Sequence, residues 1–230
     1  MPAALLSLAL LAGAPPDPTP PAMPSELTAP LSDYVAARTA EFDRIPAARK
    51  AELDTLADYV TARRAADEPA KLTFICTHNS RRSHLGQVWA AVAAAHYGVS
   101  GVETYSGGTE ATAFNPRAVA ALKRAGFAVE SDAAATNPRY TVTYGEAAPP
   151  SEHFSKKYDD DANPQSGFLA VMVCTDADEA CPVVTGAAAR LALPYDDPKA
   201  ADDTPAEAAR YDERTAQIGR EMLYAFSQVR

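Results

Sequence analysis

Cysteine is scarce in this sequence, which has three thiols, Cys76, Cys174 and Cys181, among 230 residues. So small and odd a number argues against a disulfide scaffold in a chain of this size. The three cysteines also lack the paired short spacings of zinc sites, and we predict no metal. They are therefore candidates for reactive or simply buried thiols.

Positive charge is also in short supply. The chain has 21 Lys and Arg residues against 30 Asp and Glu residues, a net charge of -9 at pH 7. The phosphates of nucleic acids and anionic membranes would be repelled by such a chain, so we predict no nucleic-acid partner. Any anion-binding site must then be created by local structure.

No apolar run is long enough to span a membrane, which takes about 20 residues. The longest N-terminal run, residues 1–14, has the apolar length and small-residue end of a signal peptide. It lacks a positively charged start, however, and runs into Pro15-Pro16. The alternative is an extension that precedes a natural start at Met23. The thiol chemistry inferred below requires cellular reductants and favours a cytoplasmic location, with export as the alternative.

Hydropathy and proline content divide the chain into three segments. Residues 1–24 are apolar up to residue 14 and proline-rich from residue 15, and the proline-rich part predicts a stiff, extended linker. Residues 25–69 place apolar side chains at helical spacing from Leu31 to about Ala66, so we predict two helices divided at Pro46. They form a small helical cap on the main domain or, as the alternative, contact a partner. Residues 70–230 form the main domain, and 47% hydrophobic content supports a sizeable core.

The main domain alternates strand and helix patterns, which predicts an α/β fold with a parallel sheet covered by helices on both faces. A polar stretch at about residues 131–167 is interpreted as an irregular surface excursion, with Tyr140–Tyr144 as a strand or hairpin arm. The predicted elements are strand Lys71–Cys76, helix Ser83–Tyr97, strand Val102–Tyr105, turn Ser106–Gly108, helix Pro116–Ala125, strand Phe168–Cys174, a short helix Thr185–Arg190, the strand-like Leu191–Tyr195 and helix Thr204–Arg230.

The segment between the first strand and the next helix has the features of an oxyanion-binding loop. Backbone N–H groups and the helix dipole attract anions at a helix N-terminus, and Arg82 adds a planar fork that matches a tetrahedral oxyanion. The same field favours the Cys76 thiolate, to which the Ser83 hydroxyl can donate. The alternative interpretation is a buried thiol and a surface arginine. The predicted substrate-binding residues are Thr77, His78, Asn79, Ser80, Arg81, Arg82 and Ser83.

The pattern Cys76-x-x-Asn79-x-x-Arg82-Ser83 resembles the phosphate loop of the low-molecular-weight protein tyrosine phosphatases and of the arsenate reductases that share their fold. Further likeness lies in Tyr105–Thr109, in Asn115-Pro116 and in Gly126. The resemblance covers most of residues 71–229, interrupted by the excursion, and implies an open four-stranded sheet. It also implies that Asn79 holds the loop in a strained conformation and that Arg82 binds the equatorial oxygens.

Two loop residues depart from this family. His78 stands where the family usually has Gly, and Arg81 stands where it usually has Cys. We interpret His78 as a loop-surface side chain rather than a catalytic one. Arg81 either adds positive potential or faces solvent.

The other two cysteines, Cys174 and Cys181, are separated by six residues just beyond a predicted strand of the same sheet. This arrangement resembles the paired redox cysteines of thioredoxin-coupled arsenate reductases. Two small buried hydrophobic residues are the alternative. The resemblance assigns the general acid to Asp197, which precedes Pro198. Asp196 is the other candidate for the general acid, and its alternative role is that of a turn or cap residue.

The resemblance therefore implies an arsenate reductase, in which Cys76 attacks arsenate and a Cys174/Cys181 disulfide relay follows. No bound cofactor is expected, and the cosubstrate would be a thioredoxin-like dithiol protein. The first alternative is a phosphatase that hydrolyses phosphomonoesters through a phosphocysteine. Lys199 stands where tyrosine phosphatases commonly have a tyrosine, which weakens the aryl-phosphate interpretation. The second alternative is a non-catalytic phosphate-binding module.

Overall fold

The computed structural model describes residues 27–132, 136–145, 148–180 and 183–230. The proline-rich segment predicted within residues 1–24 and the predicted redox residue Cys181 lie outside these ranges. The helices are α1 Ala29–Thr39, α2 Ala47–Ala65, α3 Arg82–His96, α4 Pro116–Arg124, α5 Thr175–Ala180 and α6 Glu207–Ser227, with 3-10 turns at Phe42–Arg44 and Pro198–Ala201. The strands are β1 Ala70–Cys76, β2 Val102–Gly108, β3 Ala128–Ser131, β4 Tyr140–Thr143, β5 Ser151–His153, β6 Phe168–Met172 and β7 Ala187–Ala192.

A four-stranded parallel sheet in the order β2-β1-β6-β7 forms the centre of the fold. The strands β1 and β6 lie between neighbours, and their apolar side chains, such as Phe74, Ile75 and Val171, are fully buried. Near-continuous apolar runs are typical of strands covered on both sides. The predicted fold class is confirmed.

The helices predicted between Leu31 and Ala66 are present as α1 and α2, and the break falls at Pro46 as expected. Pro46 is the N-cap of α2, with an extended backbone, and its missing N–H costs no hydrogen bond within the helix there. Leu31, Leu53 and Val60 are fully buried, and both helices pack against α6.

Two predicted elements differ in the structure. The turn predicted at Ser106–Gly108 is instead the end of β2, because Gly107 and Gly108 pair with Ile75 and Cys76. The short helix predicted at Thr185–Arg190 is wrong, since Ala187–Ala192 forms the edge strand β7 beside β6. Alanine favours helices intrinsically, but pairing with a neighbouring strand overrides that preference.

The polar excursion is also more ordered than its composition predicts. Strands β3, β4 and β5 form an antiparallel sheet, and Val142 in its middle strand is fully buried. The segment after β5 returns to the main sheet, where Ser155 and Lys156 are buried. Strand β4 confirms the strand expected at Tyr140–Tyr144, whereas the interpretation as an irregular surface excursion is wrong for β5 and for the buried residues Ser155 and Lys156.

Candidate active site

The predicted oxyanion loop connects the carboxyl end of β1 to the N-terminus of α3. Cys76 is the last residue of β1, and its side chain lies in the core with 4% of the residue exposed. In the described part of the chain, no side chain caps α3 at Arg81. The first N–H groups of a helix have no partner within it, so they are available here to an anion.

The Cys76 thiol lies beside a hydroxyl whose hydrogen bonds are well defined. The Sγ of Cys76 is 3.1 Å from the Oγ of Ser83, and Asn79 Nδ2 donates to the same oxygen at 2.9 Å. Because that oxygen accepts from Asn79, the hydroxyl proton is free to point at the sulfur. The geometry is suited to stabilising a thiolate, as the sequence predicts.

Asn79 adopts a left-handed backbone conformation with φ of 44° and is fully buried. Asparagine tolerates this region better than most residues, and its side chain here also makes fixed contacts. Its Oδ1 accepts the backbone N–H of Lys156 at 2.8 Å. The contacts of both amide atoms support the role that the resemblance implies for Asn79.

The segment that follows β5 braces the loop from behind, which sequence reasoning missed. The Oγ of Ser155 donates to the His78 carbonyl at 3.0 Å and accepts the Thr112 N–H at 2.8 Å. The carbonyl of Lys156 accepts the Gly108 N–H at 2.9 Å. A side chain at Gly108 would meet loop backbone, since an added Cβ would lie 2.7 Å from Asn79 N. Adjacent glycines at the end of β2 were the sequence signal for this close approach.

The loop residues Thr77, His78 and Ser80 contact the segment that follows β2. The Thr77 carbonyl accepts the Glu110 N–H at 2.8 Å, and the Ser80 hydroxyl donates to the Ala113 carbonyl at 2.8 Å. His78 is half-exposed, with Nε2 3.7 Å from a Glu110 oxygen. This placement agrees with a surface role for His78.

Arg82 and Asp197, the predicted oxyanion ligand and general acid, form an ion pair. Arg82 donates to Asp197 Oδ2 at 2.8 Å and to the Tyr195 carbonyl at 2.8 Å. The other carboxylate oxygen of Asp197 accepts the Lys199 N–H at 3.0 Å and begins a 3-10 turn. Its competitor Asp196 is exposed and pairs with Arg214 at 3.4 Å. Asp197 is therefore the carboxylate that the structure places beside Arg82.

Arg81 does not face solvent freely. Its Nε donates to the hydroxyl of Tyr211 at 2.8 Å, and its Nη2 donates to Asp202 at 3.3 Å. The Nε also lies 3.9 Å from Asp197 Oδ1. The loop thus contributes two guanidinium groups to the surroundings of one carboxylate.

Cys174 lies next to the loop. It follows β6, it is fully buried, and its Sγ is 3.6 Å from the Thr77 hydroxyl and 3.4 Å from the Ala177 N–H in α5. Both Cys76 and Cys174 are free thiols. The structure therefore places Cys174 beside Thr77, the residue that follows Cys76.

A buried polar cluster lies behind the loop. The His84 ring stacks on Phe114 with centroids 4.0 Å apart, and its Nδ1 is 3.2 Å from the Ser106 hydroxyl. Burial, with smaller contributions from His153 and Lys156, holds the pKa of His84 well below its usual value. Burial likewise lowers the pKa of His153 to about 3 and that of Lys156 to about 8. Both histidines are neutral at physiological pH.

No described group of three His, Cys, Asp or Glu side chains is arranged to hold a metal ion. None of the described helices has the length and apolar character to cross a membrane.

A family model described as low molecular weight phosphotyrosine protein phosphatase matches residues 71–142. Arsenate reductase 2 of Staphylococcus epidermidis is 32% identical over 127 residues, which cover 54% of this chain and 76% of that protein. The chain belongs to the low molecular weight phosphotyrosine protein phosphatase family. Another member similar to it, arsenate reductase of Bacillus licheniformis, is 28% identical over 155 residues, 67% of this chain and 93% of that protein.

Solved structures of the low molecular weight phosphatase family are also similar to the chain. The match with the low molecular weight protein tyrosine phosphatase of T. tengcongensis covers 70% of this chain and 99% of that protein's chain, with 15% identity and a TM-score of 0.45. The match with the YwlE mutant of Bacillus subtilis covers 69% of this chain and 97% of that chain, with 13% identity and a TM-score of 0.46. The predicted oxyanion loop lies within the segment that matches the family model.

Proposed function

We propose that this family member is an arsenate reductase. Arsenate binds at the N-terminus of α3 and to Arg82. It displaces the Asp197 carboxylate from the guanidinium, and the freed carboxylate takes up a proton from solvent. The Cys76 thiolate attacks arsenic and forms an S–As bond, while an arsenate oxygen leaves as water with a proton from Asp197.

The second step reduces the arsenic. The Cys174 thiolate attacks the Sγ of Cys76, which forms a Cys76–Cys174 disulfide and breaks the S–As bond. Arsenite leaves with the electron pair of that bond, so two thiols supply the two electrons that convert As(V) to As(III).

Thiol exchange then regenerates the nucleophile. The Cys181 thiolate attacks Cys174, which releases Cys76 as a thiol and leaves a Cys174–Cys181 disulfide. A thioredoxin-like dithiol reduces that disulfide and completes the cycle. No bound organic cofactor or metal takes part in these steps.

The observation that carries this proposal is the position of Cys174. A phosphatase needs Cys76, Arg82 and Asp197 but has no use for a second thiol. Here a free, buried thiol lies 3.6 Å from the hydroxyl of Thr77, directly after the nucleophile. The relatives named as arsenate reductases support the same substrate.

Single-turnover reaction of the fully reduced protein with arsenate tests the relay. We expect one arsenite per protein, with Cys174→Ser reducing the yield by at least tenfold and Cys181→Ser trapping the Cys76–Cys174 disulfide, visible by peptide mapping. Val183→Ser places a hydroxyl at an exposed position of the same segment and is expected to leave the yield unchanged. Full arsenite yield from Cys174→Ser, or the absence of a trapped Cys76–Cys174 disulfide in Cys181→Ser, would refute the relay.

Phosphomonoester hydrolysis is the second candidate function, favoured by the Arg82–Asp197 pair beside Cys76. Turnover of 4-nitrophenyl phosphate without arsenite formation would favour it over reduction. Binding of inorganic phosphate with neither activity would indicate the non-catalytic module.

A further inference from the structure

We propose that Arg81, through Tyr211 and Asp202, is a positioning residue that holds Asp197 over the oxyanion loop. The inference deepens the proposed function and rests on it, because it assigns a task to a loop arginine that the chemistry itself does not require. Arg81 occupies the position where the family usually has Cys.

Two nitrogens of Arg81, Nε and Nη2, are already engaged by protein groups. Its Nε donates to Tyr211 Oη at 2.8 Å and its Nη2 donates to Asp202 Oδ2 at 3.3 Å. The Tyr211 hydroxyl in turn donates to Asp202 Oδ1 at 2.8 Å. The three side chains close a ring of hydrogen bonds, so these two nitrogens of Arg81 are committed to protein partners.

The ring is anchored in the core. Tyr211 is fully buried in α6, and the side chains of Arg81 and Asp202 are 12% and 16% exposed. Arg117 of α4 approaches Asp202 at 3.7 Å from another direction and pairs with Glu207 at 2.7 Å. Charged hydrogen bonds in a partly buried site are stronger than those at a surface, so the ring holds a fixed geometry.

Asp202 and Asp197 stand at opposite ends of one short turn. Asp197 accepts the Lys199 N–H at its start, and the Asp202 N–H donates to the Lys199 carbonyl at 3.0 Å at its end. The ring of hydrogen bonds fixes the end at Asp202. At the other end, the Arg81 Nε lies 3.9 Å from Asp197 Oδ1. Arg81 therefore connects the oxyanion loop to both ends of the turn that carries the acid.

This connection matters because proton transfer depends on the position of the acid. A general acid contributes about 10²–10⁴-fold to a rate when it lies within hydrogen-bond reach of the departing oxygen. A displacement of about 1 Å can remove much of that contribution. Arg82 binds the anion, whereas Arg81 keeps the carboxylate above it.

Tyr211→Phe breaks the ring of hydrogen bonds, because it removes the hydroxyl, and it keeps the buried aromatic side chain. We expect kcat for arsenate reduction to fall about tenfold, part of the general-acid contribution. The Kd of inorganic phosphate, measured by calorimetry, should stay the same or decrease, because Arg82 and the loop are untouched. Tyr224→Phe removes a hydroxyl from the same helix, against Phe42 and away from the loop, and should change neither value.

A double-mutant comparison shows whether the effect passes through Asp197. In an Asp197→Asn background, Tyr211→Phe should reduce kcat by less than twofold, since no acid remains to be positioned. Arg81→Gln should behave like Tyr211→Phe in both backgrounds.

If the protein reduces arsenate, two results would overturn the role proposed for Arg81 without affecting the proposed function. One is an undiminished tenfold loss from Tyr211→Phe in the Asp197→Asn background, and the other is weaker phosphate binding in parallel with the loss of kcat. If the wild-type protein hydrolyses 4-nitrophenyl phosphate instead of reducing arsenate, the proposed function fails while the same comparison on hydrolysis still decides the role of Arg81. A protein that turns over neither substrate would overturn both.

Discussion

The Arg82 guanidinium already holds a carboxylate, that of Asp197, at 2.8 Å. In the proposed mechanism, an entering oxyanion must therefore compete with a side chain of the protein itself. Displacement frees the Asp197 carboxylate to take up a proton, which it then donates near the newly bound anion. Binding and the delivery of the acid are thus coupled through one arginine.

This coupling predicts opposite effects of Asp197→Asn on binding and on turnover. The amide pairs less strongly with Arg82 than the carboxylate does, so inorganic phosphate should bind more tightly, by about threefold or more. Loss of the acid should lower kcat by about 10²–10⁴-fold. Calorimetry with phosphate and steady-state kinetics measure the two effects.

Asp196→Asn is the matched control, because Asp196 is 95% exposed at its side chain and pairs with Arg214 rather than with the loop. We expect little change in either quantity. If Asp197→Asn instead weakened phosphate binding, competition at Arg82 would be the wrong description of the site.

Ser155 provides a second prediction for a single residue. Ser155→Ala leaves the Thr112 N–H and the His78 carbonyl without this partner in a buried place, which should lower the free energy of unfolding by about 1–3 kcal/mol. Urea denaturation measures the change. Ser166→Ala, at an exposed position of the same excursion, should lie within about 0.5 kcal/mol of the wild type. Equal stability of the two variants would show that Ser155 does not brace the loop.

Among the elements, the strand–loop–helix unit around Cys76 was predictable because its signals are local. The apolar run of β1, the helical stripe of α3 and the residues between them are contiguous in sequence. Parallel strands also end at one edge of a sheet, so the approach of Cys174 to the loop follows from the predicted strand Phe168–Cys174.

Other features depend on partners far away in the sequence and could not be read from it. Strand β7 is defined by pairing with β6, whereas its alanines alone favour a helix. The brace joins Ser155 and Lys156 to residues 77 positions earlier. The ring around Arg81 joins residues separated by more than 100 positions, and no local pattern marks such a contact.

The close approach of β2 to the loop predicts that Gly108 cannot be replaced. An alanine Cβ at Gly108 would lie 2.2 Å from the Glu110 carbonyl oxygen and 2.7 Å from the Thr77 carbonyl oxygen, both rigid backbone atoms. Gly108→Ala should therefore destabilise the protein by more than about 3 kcal/mol and weaken phosphate binding at least tenfold.

Gly98→Ala separates this clash from the general cost of losing a glycine. Gly98 has φ of 63° with no atom within 4 Å of an added Cβ, so its substitution should cost about 1–2 kcal/mol of backbone strain and leave phosphate binding unchanged. Thermal denaturation and calorimetry distinguish the two variants. Normal phosphate binding by Gly108→Ala would contradict the predicted contact with the loop.

At the level of the whole molecule, the N-terminal helices and the site share structural support. Arg49 of α2 donates to Glu221 of α6 at 2.8 Å and to the Pro194 carbonyl at 3.2 Å, and its guanidinium lies over the Tyr195 ring. The carbonyl of Tyr195 receives Arg82. Helix α6 carries both Glu221 and Tyr211, so it links α2 to the acid turn.

Two buried neutral histidines make the stability of the molecule depend on pH. Burial lowers the pKa of His153 to about 3 and holds the pKa of His84 well below its usual value, with Lys156 opposing protonation of both. In the unfolded chain each histidine has a pKa of about 6.5. Below that pH the unfolded state takes up protons that the folded state does not, so stability falls as pH falls.

As the pH falls, the free energy of unfolding should decrease by about 1.4 kcal/mol per pH unit for each histidine, between about pH 6 and the pKa of that histidine in the folded protein. His153→Gln should reduce the slope of the unfolding free energy between pH 6 and pH 5 by about that amount. Urea denaturation of the wild type and the variant at pH 7, 6 and 5 measures the two slopes. An unaltered slope in His153→Gln would mean that this histidine is protonated in the folded protein, which its burial among His84, Phe114 and Lys156 opposes.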